Sequence, residues 1–156
     1  MKEHHYDLNT EWTGSNGKGT TGYRDYERSY TIAIENKINL NGSSDPAFRG
    51  DKNRHNPEDL LLASLSSCHM LSYLHVCVMH NITVTAYTDH AKGTMSELSG
   101  GSGHFTEVLL QPIVTVKELS MIQKAIELHH KAHELCFIAN SVNFPVRTVP
   151  TVKTEE

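Results

Sequence analysis

Residues 56–69 read Asn-Pro-Glu-Asp-Leu-Leu-Leu-Ala-Ser-Leu-Ser-Ser-Cys-His, and they mark the start of a long helix. Asn56 suits the N-cap, and Pro57 suits the first helical position, where a missing N–H costs nothing. Glu58 and Asp59 place negative charge at the positive end of the helix dipole. The apolar run that follows predicts a helix to about His80, with Asn81 in the left-handed position that ends many helices. Cys68 falls in its middle. A cysteine there reads first as a small hydrophobe. It becomes a reactive group only beside a cation, because the helix N-terminus acts within its first turn alone.

Upstream, residues 41–55 (Asn-Gly-Ser-Ser-Asp-Pro-Ala-Phe-Arg-Gly-Asp-Lys-Asn-Arg-His) form a loop that carries Arg49 and Arg54 up to the helix. Residues 8–40 read as a hairpin around Ser15-Asn16-Gly17-Lys18-Gly19 and a long third strand, with Arg24 and Arg28 on the strands. Trp12, Tyr23, Tyr26 and Tyr30 are expected to pack that sheet. Downstream, residues 82–95 alternate with a period of two, and Gly100-Gly101-Ser102-Gly103 turns the chain into a strand pair over residues 104–116. A second helix is expected from about Lys117, its stripe running Leu119, Ile122, Ile126, His129, His133 and Cys136. Residues 144–152 read as one last strand, at an edge because Pro150 has no N–H to donate. Strands, helix, strands, helix and strand make an α+β pattern in a single domain over residues 1–156.

Composition narrows the function. The 156 residues carry 14 Lys+Arg against 18 Asp+Glu, a net charge of −4 without a dense basic stripe, which excludes the electrostatic footprint of a nucleic-acid binder. The stretch from Leu60 to Met79 has the length of a membrane span. It also contains Ser64, Ser66, Ser67, His69, Ser72 and His75, which argue for a core helix and no membrane partner. The polar N-terminus reads as neither signal nor anchor. Three cysteines, an odd number without a dense framework, fit a reducing cytoplasm.

Helical geometry sorts those cysteines. Cys77 lies nine residues after Cys68, on the opposite face and about 13 Å along the axis, so these two cannot pair. Cys136 belongs to the second helix, and only tertiary packing can bring it to Cys68. The cations available to a Cys68 thiolate are Arg49, then Arg54, Arg24 and Arg28, with Glu58 as the carboxylate that would steady one of them. Ten residues separate Glu58 from Cys68, roughly 15 Å of helix, so an arginine serving both comes from a different chain or the site does not exist. His129 and His133 have a metal-compatible spacing of four but no evident fourth ligand. They read as polar residues lining a wet interface or tuning Cys136.

Asn56-Pro57-Glu58, Cys68 ten residues after the Glu, and Cys136 in Ala132-His133-Glu134-Leu135-Cys136 together resemble the OsmC/Ohr family of thiol-dependent hydroperoxide reductases. Tyr23-Arg24-Asp25-Tyr26 and Ser43-Ser44-Asp45-Pro46-Ala47-Phe48-Arg49-Gly50 look like OsmC-like members in particular, and the resemblance spans nearly the whole chain. It implies an OsmC-like fold of antiparallel sheets and two main helices, in an intertwined homodimer with active sites at the subunit interface. It further implies that Cys68 is the peroxidatic thiol, Cys136 the resolving thiol, and Glu58 the partner of a catalytic arginine, for which Arg49 is the first choice. The implied substrate is an organic hydroperoxide and the implied reductant an external dithiol such as a dihydrolipoyl group, with no metal or organic cofactor. Phe137 departs from the Pro that often follows the second cysteine in the family. The rival expectation is a protein of the same fold that binds a small apolar ligand and turns nothing over.

Overall fold

The computed structural model describes residues 2–155. By Cα proximity the chain groups into two compact units, one up to Leu61 and one from Leu62 onward. In the first, β1 (Asn9–Trp12), β2 (Tyr30–Ala33) and β3 (Leu40–Gly42) form an antiparallel sheet in chain order, with Trp12 opposite Tyr30 and Ile32 opposite Leu40. The strands are shorter than the sequence pattern predicts. Asn16 and Gly17 do turn the chain, at φ 50 and 74, but inside a loop of residues 13–29 that also holds Tyr23, Tyr26 and both nearby arginines. The two ends of that loop meet at Gly14, where an added Cβ would come within 2.0 Å of the Glu27 carbonyl oxygen.

Helix α1 runs from Pro57 to Met79, close to the predicted span. The Asn56 side-chain oxygen accepts from the Asp59 N–H at 2.7 Å, and the Asp59 carboxylate accepts from the Asn56 N–H at 3.3 Å. This is a reciprocal cap with Asp in the position Glu usually takes. Asn81, at φ 58, follows the helix in the left-handed conformation expected of it.

The second unit contains β4 (Val84–Asp89), β5 (Lys92–Glu97), β6 (Gly103–Leu110), β7 (Pro112–Val116), helix α2 (Ile122–Leu135), β8 (Val146–Thr148) and β9 (Thr151–Thr154). Its two sheets have the orders β4-β7-β9 and β5-β6-β8. The expected pairing of the two strands within residues 104–116 does not form: β6 pairs with β5, and β7 with β4. The expected single last strand is two, each at the edge of its sheet and parallel to its neighbour, with Pro150 between them. The chain crosses between sheets at three neighbouring points, where His90 N–H reaches the Gln111 carbonyl at 3.5 Å and Val149 N–H the Leu110 carbonyl at 2.9 Å. The result is three long strands creased at one level. At the crease one Asp89 oxygen accepts from Gln111 N–H at 2.7 Å, and the other accepts from the Ser66 hydroxyl of α1.

The core lies between α1, α2 and β7 and includes Tyr73, Val76, Cys77, Val114, Val116, Ala125, Leu128 and Ala132. Helix α2 begins later than the stripe from Lys117 suggests, after a 3-10 turn at Leu119–Met121. Its buried face is Ala125, Leu128, His129 and Ala132, while Leu119 and Ile126 are exposed. Helix α1 is long and apolar enough to cross a membrane by length and composition. In the fold Leu65, His69, Tyr73, Val76 and Cys77 are buried, and Leu71, Val78 and Met79 remain exposed.

Two histidines tie the helices together. His69 and His129 are buried, with Nε2 of the first 3.0 Å from Nδ1 of the second, and the His129 ring stacks on Tyr73 at 3.8 Å between centroids. Burial pushes His69 down to about 4, helped by His133 and opposed by Asp89; burial and then His69 push His129 down to about 3. The unfolded chain, with ordinary histidines near 6.5, therefore binds more protons than the folded one below that pH, so stability is present above it and falls as pH drops. Urea denaturation should show stability falling between about pH 6.5 and 4 by up to about 1.4 kcal/mol per pH unit for each proton taken up. The double variant His69→Leu/His129→Leu should lose that part of the slope; an unchanged slope would remove the pair from the acid response.

Candidate active site

The turn of α1 that carries Cys68 faces the end of α2. Cys68 is half-buried and lines a cavity of about 400 Å³ with Leu71, Ser72, His75, Leu135 and Phe137. Ser72 and His75 follow Cys68 by four and seven residues, the spacing that keeps one face of a helix. The rest of the lining is apolar, so the sulfur sits where an apolar molecule would be held against it.

Cys136 occupies the C-cap of α2 and is completely buried. Its side chain is within hydrogen-bonding reach of Cys68, and its sulfur accepts from the Ala139 N–H at 3.4 Å. Burial pushes the Cys136 thiol up to about 11, the neighbouring Cys68 adds to this, and the backbone N–H groups of Ala139 and Ile138 oppose it. The two sulfurs are thus inequivalent: one opens on a cavity, and the other lies behind it in a site that disfavours its anion. Cys77 is a core residue on the other side of the helix, its thiol raised by burial and hydrogen-bonded to Tyr73. The helical spacing that separates Cys77 from Cys68 holds in the fold.

The other predicted residues belong to the first unit. Glu58 is half-buried, and its Oε2 is buried without a hydrogen-bond partner among the described residues. Tyr30 is raised by burial and then by the charges of Glu58 and Asp59. Arg49 closes the 3-10 turn Pro46–Phe48 in the left-handed conformation, φ 65, which is uncommon for a residue with a Cβ. It forms no ion pair with Glu58 among the described residues, and its guanidinium lies 5.8 Å from the Tyr23 ring centre. Arg54 is bound to Asp51 at 3.4 Å. Arg28 is held between Tyr23 and Tyr26, at 4.5 and 4.1 Å from their ring centres. Arg24 is exposed and makes no ion pair or hydrogen bond among the described residues. Of the four candidate cations, then, two are engaged within the first unit, and Arg49 and Arg24 are available.

His129 and His133 line a second cavity, of about 330 Å³, with Ile126, His130, Val146, Thr148 and Pro150. No group of three or more His, Cys, Asp or Glu among the described residues is placed to hold a metal ion. Sequence reasoning missed His69 as the partner of His129. The signal was the spacing Leu65, His69, Tyr73, Val76, which puts His69 on the buried stripe of α1.

A family model described as OsmC-like protein matches residues 50–150. The chain belongs to the OsmC-like family. Among solved structures, it is similar to an OsmC-like protein of unknown function from Vibrio cholerae O1 biovar eltor, with 30% identity over 95% of this chain and 99% of that one and a TM-score of 0.85. It also shares the fold of an organic hydroperoxide resistance protein from Elizabethkingia anophelis, at 20% identity over 99% and 100% of the two chains with a TM-score of 0.68. A third structure, described as an organic hydroperoxide resistance protein OsmC from Legionella pneumophila, is 15% identical over 100% of both chains with a TM-score of 0.70. No curated protein matches the sequence. Membership fits the α+β, OsmC-like architecture expected from the sequence, including its two helices and largely antiparallel sheets.

Exposure of one sulfur and burial of the others fix an order of modification. In the native protein, limiting iodoacetamide should label Cys68 before Cys136 and Cys77, read by peptide mass spectrometry. Labelling of Cys136 first would overturn the inequivalence.

Proposed function

We propose that this OsmC-like protein is a cysteine-based peroxidase that reduces organic hydroperoxides, with hydrogen peroxide a possible smaller substrate. The observation that carries the reading is the contact between Cys68, at the wall of an apolar cavity, and the buried Cys136 behind it. The Cys68 thiolate attacks the distal peroxide oxygen, the S–O bond forms as the O–O bond breaks, and the alkoxide leaves with a proton as the alcohol. Cys68 is oxidised by two electrons to a sulfenic acid, and the peroxide is reduced by the same two. The Cys136 thiolate then attacks the Cys68 sulfur, the S–O bond breaks, hydroxide leaves as water, and the disulfide remains. An external dithiol, of the dihydrolipoyl type, returns the pair to thiols. A reducing cytoplasm is the compartment this cycle needs.

The thiolate requires a cation, which Arg49 or Arg24 supplies from a second copy of the chain, with Glu58 steadying it. The second copy is part of the reading. The exposed Leu71, Val78, Met79 and Phe137 are what an intertwined homodimer would cover. Sedimentation should find a dimer, and its interface should exceed about 2,000 Å², as obligate pairs do. A folded, active monomer would refute that assembly.

A binding protein of the same fold remains the competing reading, favoured by the apolar lining from Leu71, Leu135 and Phe137. Stopped-flow kinetics with cumene hydroperoxide and a dithiol separate the two. Cys68→Ser should abolish turnover, Cys136→Ser should leave one fast oxidation and then stall, and Cys77→Ser should change little. Wild-type protein that binds the hydroperoxide without consuming it would leave the binding reading in its place.

A further inference from the structure

The loop between β1 and β2 is organised around one side chain. Arg28 turns back into it and donates from Nη1 to the Tyr26 carbonyl and from Nη2 to the Tyr23 carbonyl, both at 2.8 Å. The same guanidinium lies over both tyrosine rings, at 4.5 Å from Tyr23 and 4.1 Å from Tyr26. Tyr26 in turn meets the edge of Trp12 at 5.8 Å, and the Trp12 indole N–H donates to the Glu27 carbonyl at 2.9 Å. The loop is therefore anchored to β1 at its base and gathered around a cation at its tip. Five rigidly arranged N–H donors and a planar face make arginine able to fill both roles at once; lysine, a point charge on a flexible stem, cannot.

What the loop presents is Arg24. It follows Tyr23 on the turn closed by the Asp25 N–H to the Gly22 carbonyl at 3.0 Å, and its own guanidinium is free of partners among the described residues. The Tyr23 ring that Arg28 holds also receives Arg49, at 5.8 Å. Both arginines left available for a thiolate are thus attached to the ring that Arg28 fixes: Arg24 by the chain, Arg49 by a cation–π contact.

We propose that Arg28 is a positioning residue, which acts through Tyr23 to set where the guanidinium of Arg24 or Arg49 is presented to the reactive cysteine of a second copy. The proposal rests on the peroxidase reading, since it needs a cation that activates Cys68. Arg28 itself stays bound to the two carbonyls throughout and takes no proton or electron.

The test is the pH dependence of Cys68 alkylation in the full-length protein, with kcat/KM for cumene hydroperoxide beside it. Arg28→Ala should slow alkylation by about tenfold near pH 7 and by less than about twofold near pH 10, where abundant hydroxide takes over the role of a neighbouring cation. Arg28→Lys should recover only part of the loss, whereas Tyr23→Phe, which keeps the ring and the carbonyl, should match wild type. Arg24→Ala and Arg49→Ala identify which cation acts, and the double variant with Arg28→Ala should be no slower than that single variant, because both remove one effect. Additive losses would mean that Arg28 acts independently and would overturn the proposal. So would a normal profile for Arg28→Ala alongside a shifted one for Arg24→Ala or Arg49→Ala, an outcome that leaves the peroxidase reading intact. Normal profiles for all three would overturn both. Should Arg28→Ala fail to fold, Arg28→Lys takes its place in the same cycle.

Discussion

The hydrogen bond between His69 and His129 is the constraint from which the second unit follows. Neither imidazole could be buried alone without losing a partner, and an unpaired polar group of that kind costs about 1–3 kcal/mol. Together they fix how far α1 can slide along α2. Tyr73 reinforces the same register twice, by stacking on His129 and by donating its hydroxyl to the Ala125 carbonyl at 3.1 Å. Cys68 precedes His69 directly, and Cys136 lies seven residues, two turns, beyond His129. The meeting of the two sulfurs is thus a by-product of a register that polar groups specify and apolar packing alone would not.

That register also divides the cysteines by task. On α1, the stripe of Leu65, His69, Tyr73, Val76 and Cys77 turns inward. Cys77 packs with Val114 and Val116 and is inert for the same reason that Val76 is. Cys68, off the centre of that stripe, reaches the cavity at the helix edge. Cys136 adds a different device, the end of a helix. Its N–H still bonds to the His133 carbonyl, while its carbonyl and that of Glu134 accept from the Asn140 side chain at 3.1 and 2.9 Å. The backbone there is held on both sides, and joining Cys68 would cost the sulfur its bond from the Ala139 N–H.

Local chemistry was legible in the sequence, and long-range pairing was not. Asn56, Pro57 and Asp59 give the start of α1 because capping depends on residues within one turn, and Asn81 gives its end for the same reason. The family could be read from Glu58, Cys68 and Cys136, whose spacing is covalent. Nothing local distinguishes a β6–β7 hairpin from two strands that part at Gln111 to join different sheets, because the deciding partners are residues 84–97 and 146–154. The stripe on α2 was misplaced because Lys117 and Leu119 continue its periodicity through a segment that is not α-helical. Arg28 was placed on a strand because its tyrosine and carbonyl partners become neighbours only once the loop has closed at Gly14. Which arginines are left unengaged stays beyond sequence reasoning for a related reason: four guanidiniums are alike until folding engages two of them.

The crease across the three long strands bears on what the cavity can accommodate. Asp89 is shared between that crease and Ser66, which stands two residues before Cys68. The sheet cannot flex along this line without dragging the turn of α1 that holds the sulfur, so the α1 wall behaves as a fixed jaw. Leu135 and Phe137, at the end of α2 and both substantially exposed, form the opposing jaw. The depth of the cavity beside Cys68 is therefore set by the sheet, and its width by two side chains at the end of the other helix.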